Sequence, residues 1–374
     1  MQRILVFLLL CGSLFAQEIR LDSIPAPVTN NAVAGYKTHG VVYVFSFLGL
    51  GEKKTADAVT SDAYALDTYT DKWDNIHPVP GPVGRIASVA ETARGHIFLF
   101  GGYVVEPKGS AVAVPDVNTY EPPTGRWSRG QDMPIEVGDA MAAQYQDRYI
   151  YIVGGRSNHG VVGDVQLYDT EKNTWSKATA IPGTPVFGHA GGMVGDIIVY
   201  VGGASRNPTR GGPPYLPSDE CWMGKVDHHD RTKIQWTKLP PHPGNASFRI
   251  AAGASERDQK IYFTGGTDNP YDMAGIGYDG KPSVPSPVTF DFNIHTKKWE
   301  TIDENTADPT MDHRGLIATT EGLIVVGGMD KDQKVTARVQ VLDLKPAPEK
   351  KPIPEKKSKS EKPASAEKPD TKSN

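Results

Sequence analysis

Short apolar runs recur along this chain, each ending on glycine. His96-Ile97-Phe98-Leu99-Phe100 runs into Gly101-Gly102, and Tyr149-Ile150-Tyr151-Ile152-Val153 into Gly154-Gly155. Further pairs stand at Gly202-Gly203, Gly265-Gly266 and Gly327-Gly328, with a degraded copy at Gly49-Leu50-Gly51. Runs this short, rich in β-branched and aromatic residues and bounded by turn residues, predict buried strands. After each pair come a loop, another apolar strand, an acid and then usually a tryptophan: Leu66-Asp67 with Trp73, Tyr120-Glu121 with Trp127, Tyr168-Asp169 with Trp175, and, across longer turns, Val226-Asp227 with Trp236 and Phe290-Asp291 with Trp299. A proline-bearing segment such as Ile181-Pro182 or Leu239-Pro240 closes the unit. Six returns of one unit predict a repeat architecture.

Each part of the unit has a physical role. Glycines at a strand end allow close approach where sheets converge on an axis, and tryptophan packs one sheet on the next. A small sheet that buries neither face alone is stabilised by stacking, and closing the stack into a ring leaves only short edges. The order of glycine pair, Tyr-Asp and Trp resembles the kelch repeat over roughly residues 19 to 344. That resemblance implies an all-β fold, a six-bladed kelch-type β-propeller. The sixth unit ends at Leu344 without a tryptophan or a fourth strand, while Ile19-Arg20-Leu21-Asp22-Ser23-Ile24-Pro25 is similar to the end of a repeat. This segment is therefore predicted to supply the outer strand of the last blade.

The two ends have other compositions. Residues 1–16 join Arg3 to an apolar run, Ile4 to Leu10, and small residues up to Ala16, the pattern of a signal peptide, which predicts a periplasmic or secreted protein. The run is too short to span a membrane comfortably. Residues 345–374 repeat lysine, proline, glutamate and serine and are expected to be disordered. The tail carries nine lysines and five acids, net +4, whereas residues 17–344, the predicted propeller, carry 30 basic and 39 acidic residues, net −9. An acidic ring argues against a nucleic-acid partner. Loss of Cys11 with the signal peptide leaves Cys221 alone, so no internal disulfide forms.

Candidate chemistry lies where the link into each inner strand meets the loop after the glycine pair. Aligning the inner strands on their small residues sets Asn31, Arg85, Asp139, His189, Arg249 and Arg314 at equivalent positions, with His313 and Asp312 beside the last. Such a ring is a candidate pocket for a small anion, since the guanidinium fork suits a carboxylate; the alternative is a set of groups that pair with one another. The longest insertions, 204–219 and 267–287, fall on the same face and bring Arg210, Glu220, Tyr271 and Tyr278. No metal is expected: Asp268, Asp272 and Asp279 lack calcium-loop spacing and His228-His229 lack zinc spacing.

Three readings follow. Kelch propellers are mostly binding scaffolds, which implies a carbohydrate or protein ligand on the loop-rich face. The overall plan is also similar to that of bacterial exported N-acetylneuraminate epimerases, which implies a mutarotase acting on an acidic sugar without a cofactor. His189 and Asp139 are then the candidate acid and base, with Arg85, Arg249 and Arg314 on the carboxylate and Glu220 or Arg210 assisting. Galactose oxidase carries kelch repeats too, but Cys221 sits beside Trp222 on a predicted third strand and no copper ligand set accompanies it.

Overall fold

The computed structural model describes residues 21–344. The predicted signal peptide (1–16) and the lysine-rich tail (345–374) lie outside the described residues. Apart from the 3-10 turn Ala56–Ala58, the regular structure is β. Five antiparallel four-stranded sheets and a sixth of three strands form the blades of a six-bladed propeller, with small two-stranded hairpins added on one face. The inner strands are Ala32–Thr38, Val89–Ala93, Met141–Tyr145, Ala190–Val194, Ala251–Ser255 and Ile317–Ala318, each the end strand of its sheet.

Blades are tied by two repeated contacts. The indole N–H of each outer-strand tryptophan donates to a carbonyl just past the outer strand of the preceding blade: Trp127 to His77 (2.9 Å), Trp175 to Gln131 (2.9 Å), Trp236 to Thr179 (3.4 Å) and Trp299 to Pro240 (2.9 Å). The second glycine of each pair donates its N–H to the link entering the next blade, as Gly102 to Val137 and Gly155 to Val186, both at 2.9 Å. No side chain fits there. Gly101 and Gly102 have φ of 55° and 93°, and a Cβ on Gly101 would lie 2.1 Å from the Val137 carbonyl oxygen.

The same two contacts close the ring. Trp73 donates to the Asp22 carbonyl at 2.8 Å and Gly328 to that of Val28 at 2.9 Å, so Leu21–Val28 stands to blade one as each outer edge stands to the next blade. Ile24 donates to Ala337 of the sixth blade, and Leu21, Ile24 and Val28 pack on Ile324, Val326 and Val339. The part of the outer strand expected before Leu21 lies outside the described residues.

The first repeat needs a correction. Gly49 makes the second-glycine bond, to Arg85 at 2.9 Å, and Leu48 takes the first-glycine place with φ 61°. The pair is therefore Leu48-Gly49, not Gly49-Leu50-Gly51. Cys221 is buried and unpaired, and burial raises its thiol pKa to about 11.

Candidate functional site

Bridges at Thr29↔Leu50, Ile86↔Tyr103, Gly138↔Arg156, Phe187↔Ala204, Phe248↔Thr267 and Met311↔Met329 fix which residues correspond from blade to blade. One position further on stand Asn30, Ala87, Asp139, Gly188, Arg249 and Asp312, all left-handed with φ between 53° and 76°. Their backbones form a circle of hydrogen bonds around the axis. Asn30 donates to Asp312 (3.2 Å), Ala87 to Asn30 (3.2 Å), Asp139 to Ala87 (3.0 Å), Gly188 to Asp139 (2.7 Å) and Arg249 to Gly188 (2.7 Å), and His313 completes the circle by donating to Arg249 (3.2 Å).

This register corrects the alignment made on small residues: only Asp139 and Arg249 are equivalent, while Asn31 and His189 lie one residue late, and Arg85 and Arg314 two residues early and late. Arg85 turns into its own blade, where its Nη2 donates to Asn118 at 2.7 Å and burial lowers its pKa to about 10. Asn31 bonds Ser46 within its own blade. His313 bonds Thr310 Oγ1 at 2.9 Å, and His189 packs edge-on against Tyr200, its ring centroid 5.5 Å away. Burial lowers both imidazoles to about 4, so they are neutral at pH 7.

Charged side chains do meet at the axis, as a lock rather than an open ring. Arg249 holds Asp139 through Nε (3.1 Å) and Nη2 (3.0 Å) and Asp312 through Nη1 (2.9 Å). Arg314 Nη2 reaches Asp139 (2.5 Å) and the Asn30 amide oxygen (2.5 Å), and the Asn30 amide nitrogen donates to Asp312. Two arginines thus meet two carboxylates, and the side chains of all four are 8% exposed or less. Burial alone would raise the Asp139 pKa, but Arg249 and Arg314 overrule it and hold the carboxyl below its ordinary range. Arg249 and Arg314 thus follow the alternative of groups that pair with one another, and Arg85 takes no part in the lock.

The loop face seals this lock. Phe187, Phe248, Tyr271, Met311, Met329 and Val335 form a buried cluster above it, and Arg249 stacks on Phe248 (4.6 Å) and Tyr271 (5.0 Å). Tyr278 packs on Tyr215 at 5.1 Å. Both tyrosines therefore pin loops to the ring. Arg210 is exposed on the turn joining Ala204–Arg206 to Tyr215–Pro217. Glu220 lies elsewhere, bonded to Lys238 at 2.8 Å and Trp222 at 3.2 Å on the fourth sheet.

Below the lock, the inner strands enclose an axial cavity of about 340 Å³. Its lining runs from Gly188 and Arg314 down to the exposed Lys37 and Glu256 at the turns between first and second strands, opposite the loop-rich face, so it is shut at one end and open at the other. Most of the wall is glycine, alanine and valine. Glu91 is the exception. Its level in the other four-stranded blades is held by Ala34, Ala143, Gly192 and Gly253, each paired with a second-strand aromatic or valine as Glu91 is with Phe98. What exposure its side chain keeps is to the cavity, and burial, opposed by the Thr92 amide, raises its pKa to about 8. Sequence reasoning missed it, although it is the only acid in any inner strand.

A family model described as KLHDC2/KLHL20/DRC7 Kelch-repeats domain matches residues 17–203. Human Kelch-like protein 34 is 21% identical over 291 residues, which are 65% of this chain and 42% of that protein. The N-acetylneuraminate epimerase of Salmonella arizonae is 24% identical over 288 residues, 67% of this chain and 70% of the enzyme. Beta-scruin of Limulus polyphemus is 27% identical over 171 residues, so this chain spans 18% of its length. The solved structure of YjhT superposes with a TM-score of 0.66 at 18% identity, covering 85% of this chain and 95% of that one, a likeness of fold. The glycine-pair and tryptophan contacts found in blade after blade are what such a repeat model encodes, and the chain belongs to the kelch-repeat family.

Proposed function

We propose that this chain is an exported binding scaffold that takes a protein partner on its loop-rich face. One observation carries the reading. Among the described residues five large hydrophobic side chains are exposed, and four of them, Val83, Val112, Leu216 and Val284, lie on this face, in a link into an inner strand or in loops between second and third strands. Exposed apolar groups on loops held by a rigid ring suit a protein surface. The internally neutralised lock and the pinned tyrosines weigh against a sugar there. The test is affinity capture from the native extract with the wild-type chain and with a Leu216→Asp, Val284→Asp variant of unchanged melting temperature. A partner kept by the wild type and lost by the variant supports the reading; one retained by both removes the loop face from it.

The similarity to the N-acetylneuraminate epimerase favours a second reading, a cofactor-independent mutarotase of an acidic sugar. The burial of His189 and the two arginines that hold Asp139 weigh against that pair as its acid and base. NMR exchange between the anomers of N-acetylneuraminate decides this reading: a rate no faster than buffer ends it.

A further inference from the structure

The axial cavity and Glu91 have no part in the loop-face reading, and they carry an inference of their own. The inner strands are unpaired on their axial side, so backbone carbonyls as well as amides line the wall. Thr92 spans two blades there, its hydroxyl donating to the Gly35 carbonyl at 2.7 Å. Among the described residues Glu91 has no ion-pair partner. The other charged groups on the wall are engaged or peripheral: Arg314 belongs to the lock, Glu256 accepts the Gly195 amide at 2.7 Å, and Lys37 is exposed at the mouth. His189 and His313 are neutral.

A carboxyl in such surroundings remains neutral until a cation reaches it, and a cation that fits recovers the cost of its ionisation. The shape of the cavity narrows the choice. A metal ion requires several oxygen or nitrogen side chains set together, whereas the wall's second carboxylate, Glu256, stands at the mouth and accepts the Gly195 amide, which leaves Glu91 the one carboxylate inside. A guanidinium requires a second planar acceptor pair. A primary ammonium offers three donors and no acceptor, matching one carboxylate and the carbonyl edges of neighbouring strands, and its alkyl or ring portion matches the alanine and valine wall. At interior packing density, a volume of about 340 Å³ holds roughly ten to fifteen non-hydrogen atoms.

We propose that the axial cavity is a binding site for a small primary ammonium compound, which enters from the face opposite the loops, past Lys37 and Glu256, and pairs with Glu91. The site is separate from the loop face, and occupancy of one does not require the other.

The test is calorimetric titration of the full chain with n-butylammonium chloride, and with 1-butanol as a neutral molecule of equal heavy-atom count, in two buffers of different ionisation enthalpy. Saturable binding of the ammonium, with the alcohol at least tenfold weaker, is expected. Binding should release protons at pH 7 and be about tenfold tighter at pH 8 than at pH 6.5, because it selects the ionised carboxyl. Glu91→Gln should weaken it at least tenfold, while Glu256→Gln at the mouth should change it less than twofold. Equal affinity for the alcohol, equal binding by Glu91→Gln, loss on Glu256→Gln alone or no saturation in the wild type would each overturn the proposal. Should Glu91→Gln fail to fold, the proton release by the wild type decides alone.

Discussion

Arg249 reaches past the fourth blade to hold Asp139 of the third with two nitrogens, at 3.1 and 3.0 Å. The route is open because the equivalent position between them is Gly188, where a Cβ would lie 2.3 Å from the Phe248 ring. One guanidinium therefore ties the third and sixth blades through the fifth, and Arg314 joins the same two blades directly through Asp139. The carboxylates that Arg249 neutralises have almost no access to water, and this fixes what its removal does.

Arg249→Ala leaves both Asp139 and Asp312 to Arg314, at 2.5 and 3.7 Å, with Asn30 and Thr29 still donating to Asp312. Taking one partner from a buried ion pair costs about 3–5 kcal/mol. Urea unfolding is expected to show a loss of that size, and Arg249→Lys most of it, since a lysine does not span both acids bidentately. A change within 1 kcal/mol for Arg249→Ala would mean the lock adds little to the ring.

Closure of the ring is tested at Gly327. It has φ 68°, and a Cβ there would sit 2.1 Å from the Val28 carbonyl oxygen. Gly327→Ala should push Leu21–Val28 off the sixth blade and lower stability by more than about 1 kcal/mol. Amide exchange at Ile24 and Val28 should rise before exchange in the middle blades does. Uniform loss of protection would instead indicate a ring that opens nowhere in particular.

The contrast between what the sequence revealed and what it hid has a physical basis. Gly101-Gly102 and Trp127 are legible because the interblade bond tolerates no side chain and the indole contact needs a large ring, so residue identity repeats. The axial position is set by a left-handed φ, and its occupants, Asn30, Ala87, Asp139, Gly188, Arg249 and Asp312, share no chemistry. Alignment on small residues therefore slid Arg85 and Arg314 by two places and set Asp312 beside the ring instead of in it. Pairing of Asp139 with an arginine was open as an alternative, but not that the partner would be Arg249, 110 residues away in sequence. Glu91 was visible as the lone acid of its class, but without the cavity nothing distinguished it from a solvated charge.

The buried imidazoles set the acid side of the stability curve. His189 and His313 have folded pKa values of about 4 against an ordinary 6.5, so the unfolded chain binds protons that the folded chain refuses. Their contribution is complete above pH 6.5 and is lost as pH falls towards 4, on the order of 2–3 kcal/mol each. Melting temperature should drop through this window. His189→Phe, if it packs against Tyr200, should flatten the slope, and an unchanged slope would show that His189 titrates normally in the fold.

Glu91 acts on the other side. Its folded pKa of about 8 lies above its unfolded value of 4.5, so the folded chain is the one that retains the proton. That contribution is full below pH 4.5 and is lost as pH rises through 8, with a size on the order of 2 kcal/mol, reduced from the full linkage because the cavity mouth is open. Glu91→Gln keeps the neutral shape at every pH. It should match the wild type near pH 5 and exceed it in melting temperature at pH 8.5, the reverse of what removing a paired surface acid would do. A variant less stable than the wild type at pH 8.5 would mean that Glu91 is ionised and paired in the resting protein. In that case a cation already belongs to the axial cavity of the native fold.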